Sequence, residues 1–436
     1  MTKIKIGIIG FGTVGSGVFK VLNENKQEIL AKTGKTFEIV SVLDLDKEKI
    51  ESITNNPELI ADSFDDLLSK SDIVLELIGG TTIAYEFVKK VIQASKPIVT
   101  ANKALIALHG KELFTLAELN NTVILYEAAV AGGIPIIKAV REGLASNKIE
   151  WVAGILNGTT NYILSEMKNN GLSFDTALKQ AQELGYAEAD PTFDIEGIDA
   201  AHKITIIASL AFGVALNFNS VYTEGITKLQ LKDVNYAEGL GYSIKLLGVA
   251  KKSNDGIEVR VNPTLIPKER LVANVDGPMN AVLVMGNMLG PTLYYGAGAG
   301  SEPTASAVVT DVIDLGRVTT DSKPSYNVPA YGFQNSEIKD CEFLKINQIT
   351  SGYYLRASFV DSAGVLAKIT SFFAAKNLSI DEMHQKVLKK NEKENDVIIV
   401  INKAKELDID IIIEEIQSME SNVGNVIKIR LENLSK

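Results

Sequence analysis

Short apolar runs alternate with helical stripes through the first third of the chain. Residues 4–9 (IKIGII) form an apolar run that stops at a glycine cluster, which predicts a buried strand. Residues 13–30 then carry apolar positions at helical spacing, and the runs at 37–43 and 73–77 read as two more strands. A helix is expected at 87–94, with strands at 97–100 and 123–126. Strands alternating with helices in this way predict an α/β block, residues 1–127, with a doubly wound parallel sheet and helices on both faces.

Between 128 and 305 the texture changes. Helical stretches at 175–183 and 200–212 mix with β-rich ones at 149–156, 257–265 and 281–285, which predicts an α+β domain on an open sheet. A helix at 301–316 is expected to pack back on the first block. The segment 317–350, with Pro324 and Pro329, reads as a linker region. Residues 351–436 then give a strand at 353–360, a turn at Asp361-Ser362-Ala363-Gly364 and a helix at 365–376. Strands at 380–387 and 396–401, a helix at 409–419 and a strand at 426–430 complete the series. That order, β-α-β-β-α-β, is ferredoxin-like.

Composition narrows the classes. A chain of 436 residues corresponds to about three domains. With 46% hydrophobic and 22% charged residues it has an ordinary globular composition, not a disordered one. The net charge of −10 and the lack of a Lys/Arg run set nucleic acid and anionic membranes aside as partners. The longest apolar run, 204–216, has 13 residues, short of the roughly 20 needed to span a bilayer. The glycine-dense start makes a poor secretory leader. Cys341 is the lone cysteine, so there is no internal disulfide, and His109, His202 and His384 are too scattered for a zinc site. A reducing, cytoplasmic location is expected.

The glycine cluster carries chemistry. Gly10-Phe11-Gly12-Thr13-Val14-Gly15 fits G-x-G-x-x-G between a strand and a helix, the dinucleotide loop of a Rossmann-type domain. Its phosphates would sit on the helix N-terminus. The second strand ends in Leu43-Asp44, and an acidic side chain there suits the ribose hydroxyls and repels a 2′-phosphate. Lys47 and Lys49 are close, so NAD against NADP stays open.

Two lysines stand out. Lys103 follows the strand at 97–100, in a loop facing the expected cofactor crevice. Glu188, Asp190, Asp194, Glu196 and Asp199 crowd the approach to Lys203. Asp199 and Lys203 are four apart and share a helix face that continues into apolar sequence, so Lys203 begins a buried element and suits proton donation. The carboxylates could bind a substrate ammonium or a metal; a plain acidic turn with one ion pair is the other reading. His202 reads as packing or surface.

Taken together, these residues closely resemble homoserine dehydrogenases of the monofunctional type with a C-terminal ACT domain. The matching blocks are 10–15, 99–104 (VTANKA), 126–137 (YEAAVAGGIPII), 156–164 (LNGTTNYIL), 185–203 (GYAEADPTFDIEGIDAAHK) and 296–304 (GAGAGSEPT). The ACT-like order extends the resemblance nearly to the end, and no fused aspartate kinase is expected upstream.

The resemblance implies NAD(P)-dependent interconversion of L-homoserine and L-aspartate 4-semialdehyde, in threonine and methionine biosynthesis. It makes Lys203 the proton donor and Lys103 a contact to both cofactor and substrate. Glu188, Asp194, Asp199 and Thr159 become substrate-side residues, with Glu188 and Asp194 matched by charge to the substrate ammonium. Gly12, Thr13, Val14 and Gly300 become cofactor contacts. Glu127, Val130, Gly132 and Ile134 become a monovalent-cation site for sodium, Glu127 offering a side-chain oxygen and the others carbonyls.

Residues 128–305 would be the catalytic and dimerisation domain of a homodimer or homotetramer, and the ACT module would bind threonine as inhibitor. Many relatives carry an arginine where this chain has Leu43, which favours dual or NAD-tolerant use. Other readings are an amino-acid dehydrogenase acting at the α-carbon and a non-catalytic amino-acid or dinucleotide sensor; the acidic block and the two lysines weigh against them.

Overall fold

The computed structural model describes residues 2–320, 323–324, 328–385 and 394–435. Strands β1 (Lys3–Ile9), β2 (Thr36–Leu43), β3 (Ile73–Glu76), β4 (Ile98–Thr100) and β5 (Ile124–Leu125) pair in parallel, in the order β2-β1-β3-β4-β5. Strand order reverses between β1 and β3, so their carboxyl ends open the crevice in which such a sheet takes its ligand. Ile6, Ile8, Val74 and Leu75 are wholly buried within it, as strands covered on both faces require.

The single helix expected over 13–30 is two helices, α1 (Thr13–Glu24) and α2 (Lys26–Thr33). Asn25, at φ −97° and ψ 14°, donates its N–H to Val21 and closes the first; its carbonyl accepts from Ile29 and opens the second. Helices α3 (Lys47–Thr54), α4 (Phe64–Lys70), α5 (Ile83–Gln93) and α6 (Lys103–Leu119) complete the block. The loop expected at Lys103 is corrected: Asn102 Oδ1 accepts from Leu105 N and caps α6, with Lys103 its first residue.

The middle block holds α7 (Ile136–Lys138), β6 (Ile149–Ile155), α8 (Gly158–Asn170), α9 (Phe174–Glu183), α10 (Thr192–Ile195) and α11 (Ile198–Phe212). It continues with β7 (Tyr222–Thr223), α12 (Leu231–Gly239), β8 (Tyr242–Lys252), β9 (Ile257–Pro267), β10 (Met279–Gly286) and β11 (Gly290–Ala297). α11 is buried along nearly its whole length, against the face of β6, β8 and β9. α13 (Ser301–Val318) then lies on α1, and a Cβ added at Gly17 would be 2.7 Å from Ser301 Oγ. A short ladder, β12 (Thr319–Thr320) and β13 (Lys323–Pro324), follows; residues 321–322 and 325–327 of the expected linker lie outside the described residues.

The C-terminal module runs β14 (Thr350–Val360), α14 (Val365–Ala375), β15 (Glu382–Gln385), β16 (Glu394–Lys405), α15 (Glu406–Gln417) and β17 (Ile427–Leu431), with strand order β17-β14-β16-β15. This is the ferredoxin-like arrangement. Residues 386 and 387 of the expected strand at 380–387 lie outside the described residues.

Rather than two separate sheets, the middle block and this module share one ten-stranded sheet. β17 joins β9 in parallel through Arg430↔Thr264 and Leu431↔Leu265. Buried charges flank the seam: Arg430 bonds Glu406 at 2.5 Å and Glu224 at 2.9 Å, Arg260 bonds Glu432, and Arg356 bonds Asp233 at 2.5 Å. Removing one partner of such a buried pair leaves an uncompensated charge at a cost of about 3–5 kcal/mol, so loss of Arg260, Arg356 or Arg430 would disturb the seam.

Candidate active site

The glycine loop closes β1 onto α1. Gly10 has φ +95°, and a Cβ there would lie 2.7 Å from Ile78 Cγ2. A Cβ on Gly15 would be 2.2 Å from the Gly10 carbonyl, whereas one on Gly12 would meet nothing within 4 Å. Gly10 and Gly15 therefore serve the turn and its packing, and Gly12 leaves an open cradle at the helix N-terminus. No side chain caps that N-terminus, so its N–H groups suit a phosphate.

Thr13 is exposed and Val14 half-buried. Ser301 Oγ donates to the Thr13 carbonyl at 2.8 Å, which brings the start of α13, just after Gly300, beside the start of α1. Asp44 accepts from Phe11 N with Oδ2 and from Asp46 N at 2.9 Å with Oδ1, so its carboxylate borders the glycine loop.

The second cluster lies across the crevice, on the helix face of the middle sheet. Lys203 is 8% exposed. Its Nζ donates to Asp199 Oδ2 at 2.7 Å and to the Leu156 carbonyl at 2.7 Å. Lys103 Nζ approaches the other oxygen of Asp199 at 3.1 Å. Asn157 Nδ2, one residue ahead of α8, donates to Asp199 Oδ2 at 2.9 Å and Asp194 Oδ1 at 2.7 Å. Thr159, in the first turn of α8, donates to the Tyr186 carbonyl at 2.5 Å. One carboxylate thus sits between two ammonium groups contributed by different domains.

Protonation follows from this packing. Burial would raise Asp199, but Lys203 and Lys103 outweigh it and hold the carboxyl well below the usual range. Burial lowers Lys203; Asp199 opposes that shift and Lys103 adds to it. Asp194 is raised, by burial and then by the charge of Asp199. His202 stacks on Phe218 at 4.3 Å and faces Phe193 at 5.4 Å. Burial, with the Lys103 charge next, pushes its imidazole down to about 4, so it is neutral packing here.

The structure gathers Lys103, Asp194, Asp199 and Lys203 with Thr159 near them. It leaves Glu188 apart: that residue is exposed, and only its carbonyl is engaged, by Gln182. Asn157 lies in the 156–164 block, and an Asn ahead of Gly-Thr-Thr is a helix-cap signal; its bonds to Asp194 and Asp199 carry no mark in the sequence. The Leu156 carbonyl is a backbone group with no mark in composition.

Glu127, expected in the cation set, is buried at the start of the 127–134 turn. Its two carboxylate oxygens accept from Ile137 N at 2.9 Å and Lys138 N at 2.8 Å, so they are engaged by the protein. Burial pushes this carboxyl up to about 7. Ala131 and Gly132 follow at φ 56° and 52°, left-handed backbone that is unusual for alanine. No group of three or more His, Cys, Asp or Glu suited to a metal occurs among the described residues. No helix among them is long and apolar enough to cross a membrane.

Comparisons with known proteins agree on one family. Residues 10–127 match the family described as homoserine dehydrogenase, NAD binding domain, and residues 135–313 match that described as homoserine dehydrogenase. The chain is 49% identical over 436 residues to the homoserine dehydrogenase of Pseudomonas aeruginosa, covering 100% of both chains. It superposes on a homoserine dehydrogenase from Thiobacillus denitrificans with a TM-score of 0.94 and 49% identity, over 100% of this chain and 99% of the other. A hyperthermophilic archaeal homoserine dehydrogenase in complex with NADPH matches with a TM-score of 0.60 and 28% identity, over 72% of this chain and 97% of the other.

Proposed function

The chain belongs to the homoserine dehydrogenase family, and we propose that the cluster joining Lys103, Asp199 and Lys203 is its catalytic centre. The protein is an NAD(P)-dependent oxidoreductase that interconverts L-homoserine and L-aspartate 4-semialdehyde. The observation carrying the site assignment is the carboxylate of Asp199 held between two lysines at the mouth of the dinucleotide crevice.

The dinucleotide, when bound, supplies or accepts the hydride at its nicotinamide ring. The open cradle at Gly12 and the adjoining helix starts at Thr13 and Ser301 suit its phosphates. Everything else is the protein's work. In the reducing direction, negative charge grows on the aldehyde oxygen. Lys203 uses two of its three N–H groups on Asp199 and Leu156, and the third would face that oxygen, stabilise the charge and deliver the proton. Burial loosens that proton, which makes the ammonium a better acid than a solvated lysine. Asp199 orients Lys203 and anchors Lys103, which would hold the substrate against the cofactor. Asp194 and Thr159 would receive the polar end of the substrate. Glu188, exposed beside this cluster's loop, is read by resemblance and charge as a further contact to the substrate ammonium.

The expected NAD-tolerant use is supported by Asp44. Its carboxylate borders the glycine loop where the adenosine ribose would lie, and a 2′-phosphate there would meet negative charge. A monovalent cation, sodium by resemblance, would draw on the Glu127 side chain and the carbonyls of Val130, Gly132 and Ile134; the Glu127 oxygens each accept one backbone N–H and keep a lone pair for it. Activity measured across sodium, potassium and bulky organic cations tests this.

The C-terminal module is read as an ACT domain that binds threonine. A cavity of about 260 Å³ opens at its Asp361–Gly364 turn, and Asn395, buried in its wall, has an Oδ1 without a hydrogen-bond partner among the described residues. A chain of contacts between the module and the catalytic cluster supports this reading. Arg430 holds Glu224, the next residue, Gly225, packs against Ile195 and Glu196, and Ile226 N donates to the Ile195 carbonyl at 2.8 Å, one residue from Asp194. A homodimer or homotetramer fits the exposed Met288, Leu289 and Tyr295 at the edge strand β11. Replacing Lys203 by Ala tests the core of this assignment: turnover should fall while dinucleotide binding persists.

A further inference from the structure

Glu76 is the last residue of β3 and has no exposed surface. A buried carboxyl so close to a ligand crevice is costly unless it is engaged. Here it is engaged on two sides. Oε2 accepts from Thr100 Oγ1, at the end of β4, at 2.5 Å. Oε1 accepts from the backbone N–H groups of Ile78 and Gly79 at 3.1 and 3.2 Å.

Both partners lead to functional segments. Residues 77 and 78 pack directly under Gly10 of the dinucleotide loop. Thr100 Oγ1 also accepts from Asn102 N at 3.0 Å. Asn102 caps α6 and reaches back to the Gly80 carbonyl at 2.6 Å. The next residue is Lys103, whose ammonium spans to Asp199. One buried carboxylate therefore clamps the loop beneath the cofactor to the turn that launches Lys103.

We propose that Glu76 is a positioning residue for this reaction: by clamping the 77–80 loop to the Thr100–Lys103 turn, it sets the reach of Lys103 across the crevice. The proposal rests on the reading of Lys103 as a contact to substrate and cofactor. Glu76 itself lies beneath the crevice and touches neither. A loosened clamp lets the start of α6 drift, and a misplacement of about 1 Å near reacting groups can cost up to about 100-fold.

The test uses the full chain with Glu76→Ala, Glu76→Gln, Thr100→Val, Lys103→Ala and the double variants Glu76→Ala/Lys103→Ala and Thr100→Val/Lys103→Ala. Steady-state kcat and KM for homoserine, dinucleotide affinity and melting temperature are measured for each. Glu76→Ala and Thr100→Val should each lower kcat/KM for homoserine by roughly 10-fold or more. Adding either change to Lys103→Ala should cause little further loss, because the clamp acts through that lysine. Glu76→Gln keeps an acceptor for the loop amides and can hold Thr100 only by reversing that bond, its NH2 donating to Thr100 Oγ1, so it should recover more activity than Glu76→Ala.

If Glu76→Ala does not fold, Thr100→Val carries the comparison, since it leaves the carboxylate and removes the hydroxyl that joins it to the Asn102 amide. Three results would overturn the proposal. One is a lowered melting temperature with unchanged kinetics of the folded enzyme. Another is a loss in the double variants equal to the product of the single losses. The third is an unimpaired Lys103→Ala beside an impaired Glu76→Ala, which would also remove the Lys103 reading; an impaired Lys103→Ala beside kinetically normal Glu76 and Thr100 variants would leave that reading standing.

Discussion

Asp199 and Lys203 sit one helical turn apart on α11 and are joined at 2.7 Å, with the lysine only 8% exposed. The pair is buried before any substrate arrives. Its Coulomb attraction keeps the ammonium charged where burial alone would favour loss of the proton.

Replacing Lys203 by Ala should lower kcat by roughly 10²–10⁴-fold, the usual share of general acid–base catalysis. Arginine should not restore it, since a guanidinium does not release its proton near neutral pH. Steady-state rates in both directions check this. A variant with near-normal turnover would take Lys203 out of the proton-transfer role.

The pH profile has a definite sign. Reduction needs a charged Lys203, so kcat/KM should fall as pH rises through the lysine's pKa, at a pH below the ordinary lysine value of 10.5. Oxidation of homoserine needs the neutral amine and should rise across the same range. Asp199→Asn removes the charge that opposes the shift, so both limbs should move to lower pH. Limbs that stay in place in the variant would contradict the coupling.

His202 makes a separate, stability-based prediction. Its imidazole titrates near 4 in the fold, against about 6.5 when unfolded. Between those values the unfolded chain binds the proton and the folded chain does not, so stability should fall as pH drops through that window. The loss is at most about 3 kcal/mol. Denaturant melts at pH 7 and pH 4.5 should show a smaller drop for His202→Phe than for the parent.

The glycines of the loop should separate cleanly. A methyl group on Gly15 would collide with the Gly10 carbonyl, so Gly15→Ala should destabilise the domain. Gly12→Ala meets no protein atom, so its melting temperature should hold while dinucleotide affinity falls. Leu43→Arg should shift preference towards NADPH if the 2′-phosphate lies beside Asp44. Thermal melts and parallel titrations with NADH and NADPH distinguish these effects.

Much of this architecture can be read from local pattern, and the exceptions have physical causes. The alternating strands and helices before residue 127 and the β-α-β-β-α-β order after 350 are legible because each element carries its own apolar period. The four-residue spacing of Asp199 and Lys203 predicts the shared face on which the structure pairs them. The seam between β9 and β17 leaves no such mark, because its partners are 166 residues apart, as in Arg430↔Thr264. The start of α6 carries the weaker signal of Asn102 alone, since Leu105 stands where a capping box would have an acidic residue or glutamine. Asn157 is legible as a helix cap but not as a partner of Asp194 and Asp199, which lie 37 and 42 residues away, and the Leu156 carbonyl is a backbone group that side-chain chemistry does not announce. Glu188 reads as part of the acidic block, yet its loop carries it to the surface.

Regulation has its own handle. If threonine acts through the C-terminal module, Arg430→Ala should weaken inhibition by breaking the link to Glu224. Because the arginine is buried, the variant should also melt lower, by an amount consistent with losing about 3–5 kcal/mol. Threonine titrations on the folded variant decide: inhibition identical to the parent would exclude this route.

The position of one ammonium group is the most direct test of all. A crystal structure with homoserine and dinucleotide bound should show Lys203 Nζ about 2.6–3.2 Å from the substrate's side-chain oxygen, with Asp199 still holding the same nitrogen. A complex in which that nitrogen points away from the reacting oxygen, with another donor in its place, would contradict the assignment.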